Sequence, residues 1–449
     1  MKIKQFEDKN LSHYSYAILS ECERKVVLID PARNPEPYYD FAKQNEAEII
    51  AVIETHPHAD FVSSHLEIHR KTGAKIYASK IMKAGFPVME FDEGSVLEFG
   101  KIKLKSLNTP GHSPDSISIV LEHKGKNKAV FTGDTLFIGD CGRPDLRESD
   151  GDVNSQQKEL AKKMYSSLRD KLIKLEDKVK VYPAHGAGTL CGKSLSEAHS
   201  STIMAEKFSN WSLQQMSEAQ FVKELTSDQP FIPKYFPYNV DLNKKGAPNL
   251  SDALDKIVIG RSVINLESAS RLDPNVIIVD TRPAEQFKSS HLPNAINLMN
   301  GEKFETWLGS IISPGELFYL AGANQKLLDE LINRAAEIGY ETFIKEAFVL
   351  DFGVIPSDRL NVEAFKKNLS SYTIVDVRNR TEVKDQAIFK NAINIPLPEL
   401  RNRINEIPNE KPIVVHCAGG YRSAAGSSII ESKADTKVFD LSDQIKDFQ

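Results

Sequence analysis

Apolar and polar positions follow different patterns in different parts of this 449-residue chain. Residues 1–30 and 95–121 have the pattern of short strands joined by turns, and the apolar run at 49–53 predicts a buried strand. Residues 155–175 have the periodicity of a long amphipathic helix. In the second half of the chain, strand-like and helix-like segments alternate, which predicts small α/β domains.

Length, charge and cysteine use narrow the class of protein. The chain is long enough for about two to four domains, and its net charge of -5 comes with no basic stretch suited to nucleic acid. It has no apolar run of membrane-spanning length and begins without an apolar signal segment, so we expect no membrane association and a cytoplasmic location. The few, widely spaced cysteines predict free thiols rather than a disulfide framework: Cys22, Cys141, Cys191 and Cys417.

A histidine-rich motif directly follows the buried strand at 49–53. Residues 55–61 read T-H-P-H-A-D-F, which places His56, His58 and Asp60 at the end of a strand. Imidazole nitrogens and a carboxylate suit a metal ion, although a polar loop would have similar composition. Three further motifs of the same kind favour the metal: T-P-G-H-S at 109–113, T-G-D-T at 132–135 and Y-P-A-H-G at 182–186.

The order and spacing of these four motifs resemble those of the metallo-β-lactamase family, over roughly the first half of the chain. The resemblance implies two β-sheets packed face to face, helices outside them and a metal at one edge. The predicted fold class is therefore α/β multidomain, with an N-terminal αββα metallo-β-lactamase sandwich.

One departure from the family pattern concerns the metal. Most hydrolases of this family resemble T-H-x-H-x-D-H, whose last histidine binds a second metal, and that position here is Phe61. We therefore predict one Fe(II) per chain, held by His56, His112 and Asp134 as in the facial triad of non-heme iron oxygenases. Zinc is the alternative metal. The chain is similar to the persulfide dioxygenase branch, which implies that further residues persist beside the iron without being required ligands: His58, Asp60 and His185.

Two loops near these motifs supply candidate substrate contacts. Segment 139–145 resembles a segment of the persulfide dioxygenases. This resemblance implies that Arg143 faces the substrate pocket and contacts an anionic part of a thiol cofactor. The alternative is that Arg143 pairs with Asp145. The Gly-rich loop after His185 carries Cys191. This cysteine either holds sulfur in transit or is a half-buried structural thiol.

The Pro- and aromatic-rich segment at 228–250 differs from a flexible Gly/Ser linker, and we expect it to pack on the first domain. Beyond it, V-I-I-V-D-T-R at 276–282 matches Y-T-I-V-D-V-R at 372–378, and A-I-N recurs in both copies. The repeat resembles the rhodanese family of sulfurtransferases. The predicted domains are a dioxygenase domain with packed linker at 1–245, an inactive rhodanese domain at 246–353 and an active rhodanese domain at 354–449.

The second rhodanese copy carries a thiol motif, H-C-A-G-G-Y-R-S at 416–423. Cys417 ends a buried strand, and Gly419 and Gly420 let backbone amides point inward. The helix starting near Arg422 and its guanidinium lower the thiol pKa and stabilise a persulfide anion. We predict Cys417 and Arg422 as catalytic residues and the two glycines as substrate-binding residues.

The first copy lacks this thiol. Aligning 318–324 with 414–420 places Ala321 at the position of Cys417. We therefore expect the first copy to be inactive and to serve as a structural or docking module.

The domain order resembles that of multidomain persulfide dioxygenase–sulfurtransferases, across essentially the whole chain. The implied substrates are a low-molecular-weight thiol persulfide and O2, and the implied products are sulfite and then thiosulfate through Cys417, as in sulfide detoxification. A homo-oligomer is expected on the same resemblance. The alternative is a glyoxalase II-like zinc thioester hydrolase fused to a rhodanese sulfur-carrier module. The sequence does not distinguish which thiol carries the persulfide: glutathione, coenzyme A, bacillithiol or cysteine.

Overall fold

The computed structural model describes residues 1–145 and 153–449. The chain divides into two compact units, Met1–Asp252 with Glu337–Gly339 and Ala253–Ala336 with Tyr340–Gln449. In the described ranges, no helix is long and apolar enough to cross a membrane.

The first unit begins with a sheet in which six strands lie in chain order. β1 to β3 are antiparallel, and β3 to β6 are parallel. The strands are β1 Lys2–Asp8, β2 His13–Ser20, β3 Lys25–Ile29, β4 Glu48–Ile53, β5 Lys75–Ala78 and β6 Met89–Glu90.

A second six-stranded sheet follows, and its strands also lie in chain order. β7 to β10 form an antiparallel meander, and β11 adds parallel to β10. The strands are β7 Val96–Phe99, β8 Ile102–Asn108, β9 Ile117–His123, β10 Lys126–Gly133, β11 Lys180–Pro183 and β12 Ser201–Thr202.

One apolar cluster joins the two sheets, because Ile18 and Ile53 of the first sheet pack with Leu104 and Phe131 of the second. The outer faces are covered by helices α1 Glu36–Gln44, α2 His65–Thr72, α3 Val153–Ser166, α4 Ile203–Ser209 and α5 Glu218–Thr226. Two more helices follow in the chain, α6 Tyr235–Lys245 and α7 Leu250–Leu254. This confirms the predicted αββα sandwich. The helix expected over 155–175 leaves α geometry after Ser166 and continues as a π turn and a 3-10 turn.

The second unit contains two four-stranded parallel sheets, ordered β14-β13-β15-β16 and β18-β17-β19-β20. The strands are β13 Ile277–Asp280, β14 Ala295–Asn297, β15 Phe318–Gly322, β16 Ile344–Val349, β17 Thr373–Asp376, β18 Ile393–Asn394, β19 Ile413–His416 and β20 Val438–Asp440. Helices connect them: α8 Leu266–Ala269, α9 Ala284–Ser289, α10 Phe304–Ile311, α11 Gln325–Glu337, α12 Val362–Lys367, α13 Arg380–Asp385, α14 Leu397–Arg403 and α15 Tyr421–Glu431.

The two copies share hydrogen bonds as well as strand order. In the first copy, the Asn297 amide donates to the carbonyls of Asp280 and Arg282 at 3.1 and 2.9 Å. Asn394 makes the same two bonds at 2.9 Å in the second copy. The A-I-N motif is therefore a structural tie between two strands in each copy.

Strand register corrects the predicted alignment of the copies. In the first copy, Asp280 lies opposite Ala321 on the neighbouring strand. In the second copy, Asp376 lies opposite the residue before Cys417. Gly322 therefore holds the position of Cys417, and the assignment of Ala321 was wrong by one residue because it rested on short sequence similarity without register. Glycine offers no thiol, so the prediction of an inactive copy remains.

Candidate metal centre and thiol loop

The T-H-P-H-A-D-F motif lies in an irregular, fully buried loop between β4 and α2. Asp30, at the end of the adjacent strand β3, fixes the start of this loop. Its carboxylate accepts hydrogen bonds from the backbone N–H and the hydroxyl of Thr55, at 2.7 and 2.8 Å. The parallel pairing of β3 and β4 brings these residues together at one sheet edge.

His56, His112 and Asp134 lie together as predicted, with one ligand atom of each within 4.8 Å of the others. The Nε2 atoms of His56 and His112 are 3.8 and 3.4 Å from Asp134 Oδ2. Neither oxygen of Asp134 accepts a hydrogen bond from a nitrogen or oxygen donor in 1–145 or 153–449. Burial raises the pKa of this carboxyl to about 6. A buried carboxylate without such donors, beside two imidazoles, fits a cation.

Hydrogen bonds orient the two imidazoles. The Thr55 hydroxyl donates to Asp30 and so accepts from His56 Nδ1, at 3.0 Å. His112 Nδ1 donates to the carbonyl of Arg143 at 2.8 Å. With Nδ1 protonated in both rings, each Nε2 keeps its lone pair for a metal.

His58, Asp60 and His185 form a second donor group within 4.8 Å. His185 Nε2 lies 3.4 Å from Asp60 Oδ2 and 3.5 Å from Asp134 Oδ1, so it borders both groups. His58 Nε2 instead faces Asp30 at 3.1 Å. Burial lowers the pKa of His58, but nearby carboxylates, Asp30 foremost, raise it overall to about 9. That these residues are not required ligands remains a prediction.

Phe61 occupies the position of the family's additional histidine. Its ring packs 4.3 Å from the ring of His58 and 3.8 Å from that of His13, measured between centroids. All three side chains are buried. An apolar ring therefore fills this side of the centre.

Cys191 also reaches the metal centre, since its sulfur lies within 4.8 Å of ligand atoms of Asp134 and His185. Burial and the carboxylates of Asp60 and Asp134 raise the pKa of this thiol well above its usual value. Cys191 is thus a buried, protonated thiol beside the predicted ligands. Whether it carries sulfur remains a prediction.

Arg143 pairs with Asp145, which is the alternative left open by the sequence. Its Nε and Nη2 atoms lie 2.6 and 2.7 Å from the two carboxylate oxygens, and its side chain is buried. Its backbone N–H also donates to the carbonyl of Cys191 at 2.9 Å. Arg143 therefore joins the two candidate loops, and a substrate contact remains a prediction.

The thiol loop closes tightly around Cys417 at the end of β19. The sulfur accepts a hydrogen bond from the backbone N–H of Gly420 at 3.1 Å, and α15 begins at the next residue. Gly420 has φ of 104°, a conformation that favours glycine. The loop therefore places a backbone donor and a helix N-terminus at the sulfur.

Two side chains contact the Arg422 guanidinium. Its two Nη atoms lie 2.6 and 2.7 Å from the carboxylate of Glu382, and its guanidinium lies 5.8 Å from the ring centroid of Trp307 in the first copy. Burial raises the pKa of Glu382, but Arg422 lowers it overall. An aromatic side chain of the first copy thus lies beside the arginine of the thiol loop.

Sequence reasoning missed the carboxylates that hold these residues. Asp30 and Glu54 lie beside His58, and Glu382 pairs with Arg422. The only available signal was position, since Asp30 and Glu54 each directly follow a strand.

Two protein families each match part of the chain. The metallo-beta-lactamase superfamily matches residues 10–185, and the rhodanese-like domain matches residues 266–351 and 361–449. The chain is 32% identical over 176 residues to the cytoplasmic hydroxyacylglutathione hydrolase of Arabidopsis thaliana, covering 38% of this chain and 63% of that protein. It is 29% identical over 174 residues to the mitochondrial persulfide dioxygenase ETHE1 of Homo sapiens, with the same two coverages of 38% and 63%.

The chain thus spans 63% of the length of these two relatives. A crystal structure of a metallo-beta-lactamase from Staphylococcus aureus subsp. aureus COL shares 31% identity with a TM-score of 0.70, covering 78% of this chain and 99% of that chain. The predicted resemblance and fold class are confirmed. The chain belongs to the metallo-β-lactamase superfamily and carries two rhodanese-like domains after its metallo-β-lactamase domain.

Proposed function

We propose that this protein is an Fe(II) persulfide dioxygenase joined to a rhodanese-type sulfurtransferase. The first reaction is RSSH + O2 + H2O → RSH + SO3²⁻ + 2 H⁺, and the second converts sulfite to thiosulfate. The observation that carries the proposal is that one chain contains both a candidate metal site and a sulfurtransferase thiol loop. The chain holds a buried group of two histidines and one carboxylate, Phe61 packs on the neighbouring His58, and the same chain has a complete thiol loop at Cys417.

The donor set supports iron at His56, His112 and Asp134. Two imidazoles and one carboxylate leave coordination positions open, as in non-heme Fe(II) oxygenases, with zinc as the alternative. When bound, the metal supplies a site at which persulfide and O2 are brought together and activated. The chain contributes two Nε2 donors fixed by hydrogen bonds at Nδ1, and the Phe61 ring packs on the neighbouring His58.

Cys191 stands beside this centre as a protonated thiol. In the proposed role, the Cys191 sulfur bonds to the outer sulfur of RSSH, the RS–S bond breaks, and the Cys191 proton leaves with RSH. A thiolate RS⁻ later takes the outer sulfur back as RSSH, the donor for Cys417, and restores the Cys191 thiol by proton uptake. Cys191→Ser should then slow thiosulfate formation while leaving O2 uptake near wild type. A serine variant with unchanged rates of both would make Cys191 a packing residue.

The thiol loop carries the second reaction. The Cys417 thiolate attacks the outer sulfur of RSSH, the S–S bond breaks, and the proton leaves with RSH. Sulfite then attacks the outer sulfur of the Cys417 persulfide, giving thiosulfate and restoring the thiolate. The Gly420 N–H and the Arg422 guanidinium stabilise the anionic sulfur in both steps.

A zinc thioester hydrolase of the glyoxalase II type is the second candidate, with the rhodanese half as a sulfur carrier. Two observations favour it: the similarity to hydroxyacylglutathione hydrolase, and the second donor group of His58, Asp60 and His185. Metal content and substrate separate the two candidates.

The test combines metal analysis of anaerobically purified protein with assays on a thiol persulfide and a glutathione thioester. We expect about one Fe per chain, since Phe61 removes one ligand of a second site, and persulfide-dependent O2 uptake. His56→Ala and Asp134→Ala should abolish that uptake. A stoichiometry near two metals with strong thioester hydrolysis would establish the hydrolase instead.

A further inference from the structure

The metal loop is a buried segment without regular structure. Residues 54–64 form neither helix nor strand, and all of them are buried. Peptide groups in such a segment need hydrogen-bond partners from elsewhere in the fold. Helix α6, which comes from the Pro- and aromatic-rich segment, supplies several of them through one side chain, Asn243.

The Asn243 amide makes three hydrogen bonds to the loop backbone. Its Nδ2 donates to the carbonyls of His58 and Phe61, both at 2.8 Å, and its Oδ1 accepts from the N–H of Ser63 at 2.8 Å. The orientation of the amide is unambiguous, because two partners are acceptors and one is a donor. The side chain is fully buried. All three contacts fall within six residues that also contain Asp60.

We infer that Asn243 is a positioning residue for the metal centre: it holds the backbone from His58 to Ser63, which follows the predicted ligand His56, and so keeps His56 in place at the metal. No other common side chain of this length offers two donors and an acceptor. Aspartate keeps the acceptor for Ser63 and loses both donors, and leucine loses all three. Asn243 lies outside the segment at 10–185 that matches the superfamily. The inference rests on the proposed metal site but not on the proposed reaction.

The same helix offers a matched control. Asn239 lies one turn earlier on the same face of α6 and is also fully buried. In the described part of the chain, its amide atoms have no hydrogen-bond partner. Asn→Ala at either position removes the same atoms from the same helix face. At position 243, the substitution also removes the hydrogen-bond partner of three backbone groups: the carbonyls of His58 and Phe61 and the N–H of Ser63.

The experiment measures Zn(II) affinity of the metal-free, full-length protein by chelator competition. Asn243→Ala should weaken Zn(II) binding about 10-fold or more, the range seen when supports of metal ligands are lost, and Asn239→Ala should stay within about twofold. Asn243→Asp keeps the side-chain size and should also weaken binding. It provides the measurement if the alanine variant does not fold.

Two results would overturn the inference. One is equal Zn(II) affinity in both Asn243 variants and the wild type. The other is a lower unfolding temperature of the metal-free Asn243 variants with unchanged Zn(II) affinity, which would mark Asn243 as a residue of helix packing only. The measurement needs neither persulfide nor O2. A wild type that binds Zn(II) but oxidises no persulfide would refute the proposed function and leave this inference standing.

Discussion

Gly420→Ala tests whether the conformation of the thiol loop activates Cys417. Gly420 has φ of 104°, and a Cβ there would lie 3.2 Å from backbone atoms of Ser442 and Asp443. Holding a non-glycine residue in such a conformation costs about 1–3 kcal/mol. At about 2–4 °C per kcal/mol for a unit of this size, the second unit should unfold about 2–12 °C lower.

If the loop of Gly420→Ala instead changes conformation to avoid this strain, the N–H of residue 420 moves away from the Cys417 sulfur. The thiolate then loses a hydrogen bond worth about 1.5–3 kcal/mol, which is roughly 10- to 100-fold in sulfurtransferase kcat/KM. The assay is thiosulfate:cyanide sulfur transfer, in which kcat/KM should fall by that factor.

Gly419→Ala is the matched control, because a Cβ at that position meets no atom within 4 Å and the backbone amide is kept. Its unfolding temperature should stay close to that of the wild type. Equal unfolding temperatures of the two variants, or a Gly420→Ala protein with wild-type unfolding temperature and wild-type kcat/KM, would refute the reasoning about loop conformation.

Three further perturbations follow from individual contacts. Thr55→Val removes the hydroxyl that links His56 to Asp30, so metal affinity measured by chelator competition should fall about 10- to 100-fold; an unchanged affinity would mean that this link does not orient His56. Burial lowers the pKa of His416 to about 4, so the unfolded state takes up a proton that the folded state resists. The unfolding free energy of the second unit should therefore fall by up to about 3 kcal/mol as pH drops from about 6.5 to 4, and His416→Phe should remove that slope in chemical denaturation. Cys417→Ser should abolish sulfur transfer from thiosulfate to cyanide, because Gly322 offers no thiol and the other three cysteines precede residue 192; residual turnover would show that one of those cysteines transfers sulfur.

Local sequence patterns were enough to predict the sandwich fold and the proximity of three site residues. Strand patterns and the order of four short motifs were enough for the sandwich, and His56, His112 and Asp134 lie together as predicted. Each of these residues directly follows or ends a strand or lies in a turn next to one. Ends of neighbouring strands meet at a sheet edge, so local pattern implied their proximity.

What the sequence left open depends on long-range contacts. Asn243 lies 185 positions from His58, and Glu382 lies 40 from Arg422, so no local pattern links either pair. The error at Ala321 has the same origin. Short apolar strands look alike when shifted by one residue, and backbone pairing fixes their register.

The most direct test of the proposed function is product analysis on a thiol persulfide with O2, for the wild type, His112→Ala and Cys417→Ser. The proposal predicts thiosulfate from the wild type. It predicts unchanged O2 uptake but sulfite as the product of Cys417→Ser. His112→Ala should lose O2 uptake and still transfer sulfur from thiosulfate to cyanide. A Cys417→Ser protein whose main product is still thiosulfate, after subtraction of the non-enzymatic reaction between sulfite and persulfide, would contradict the two-site account.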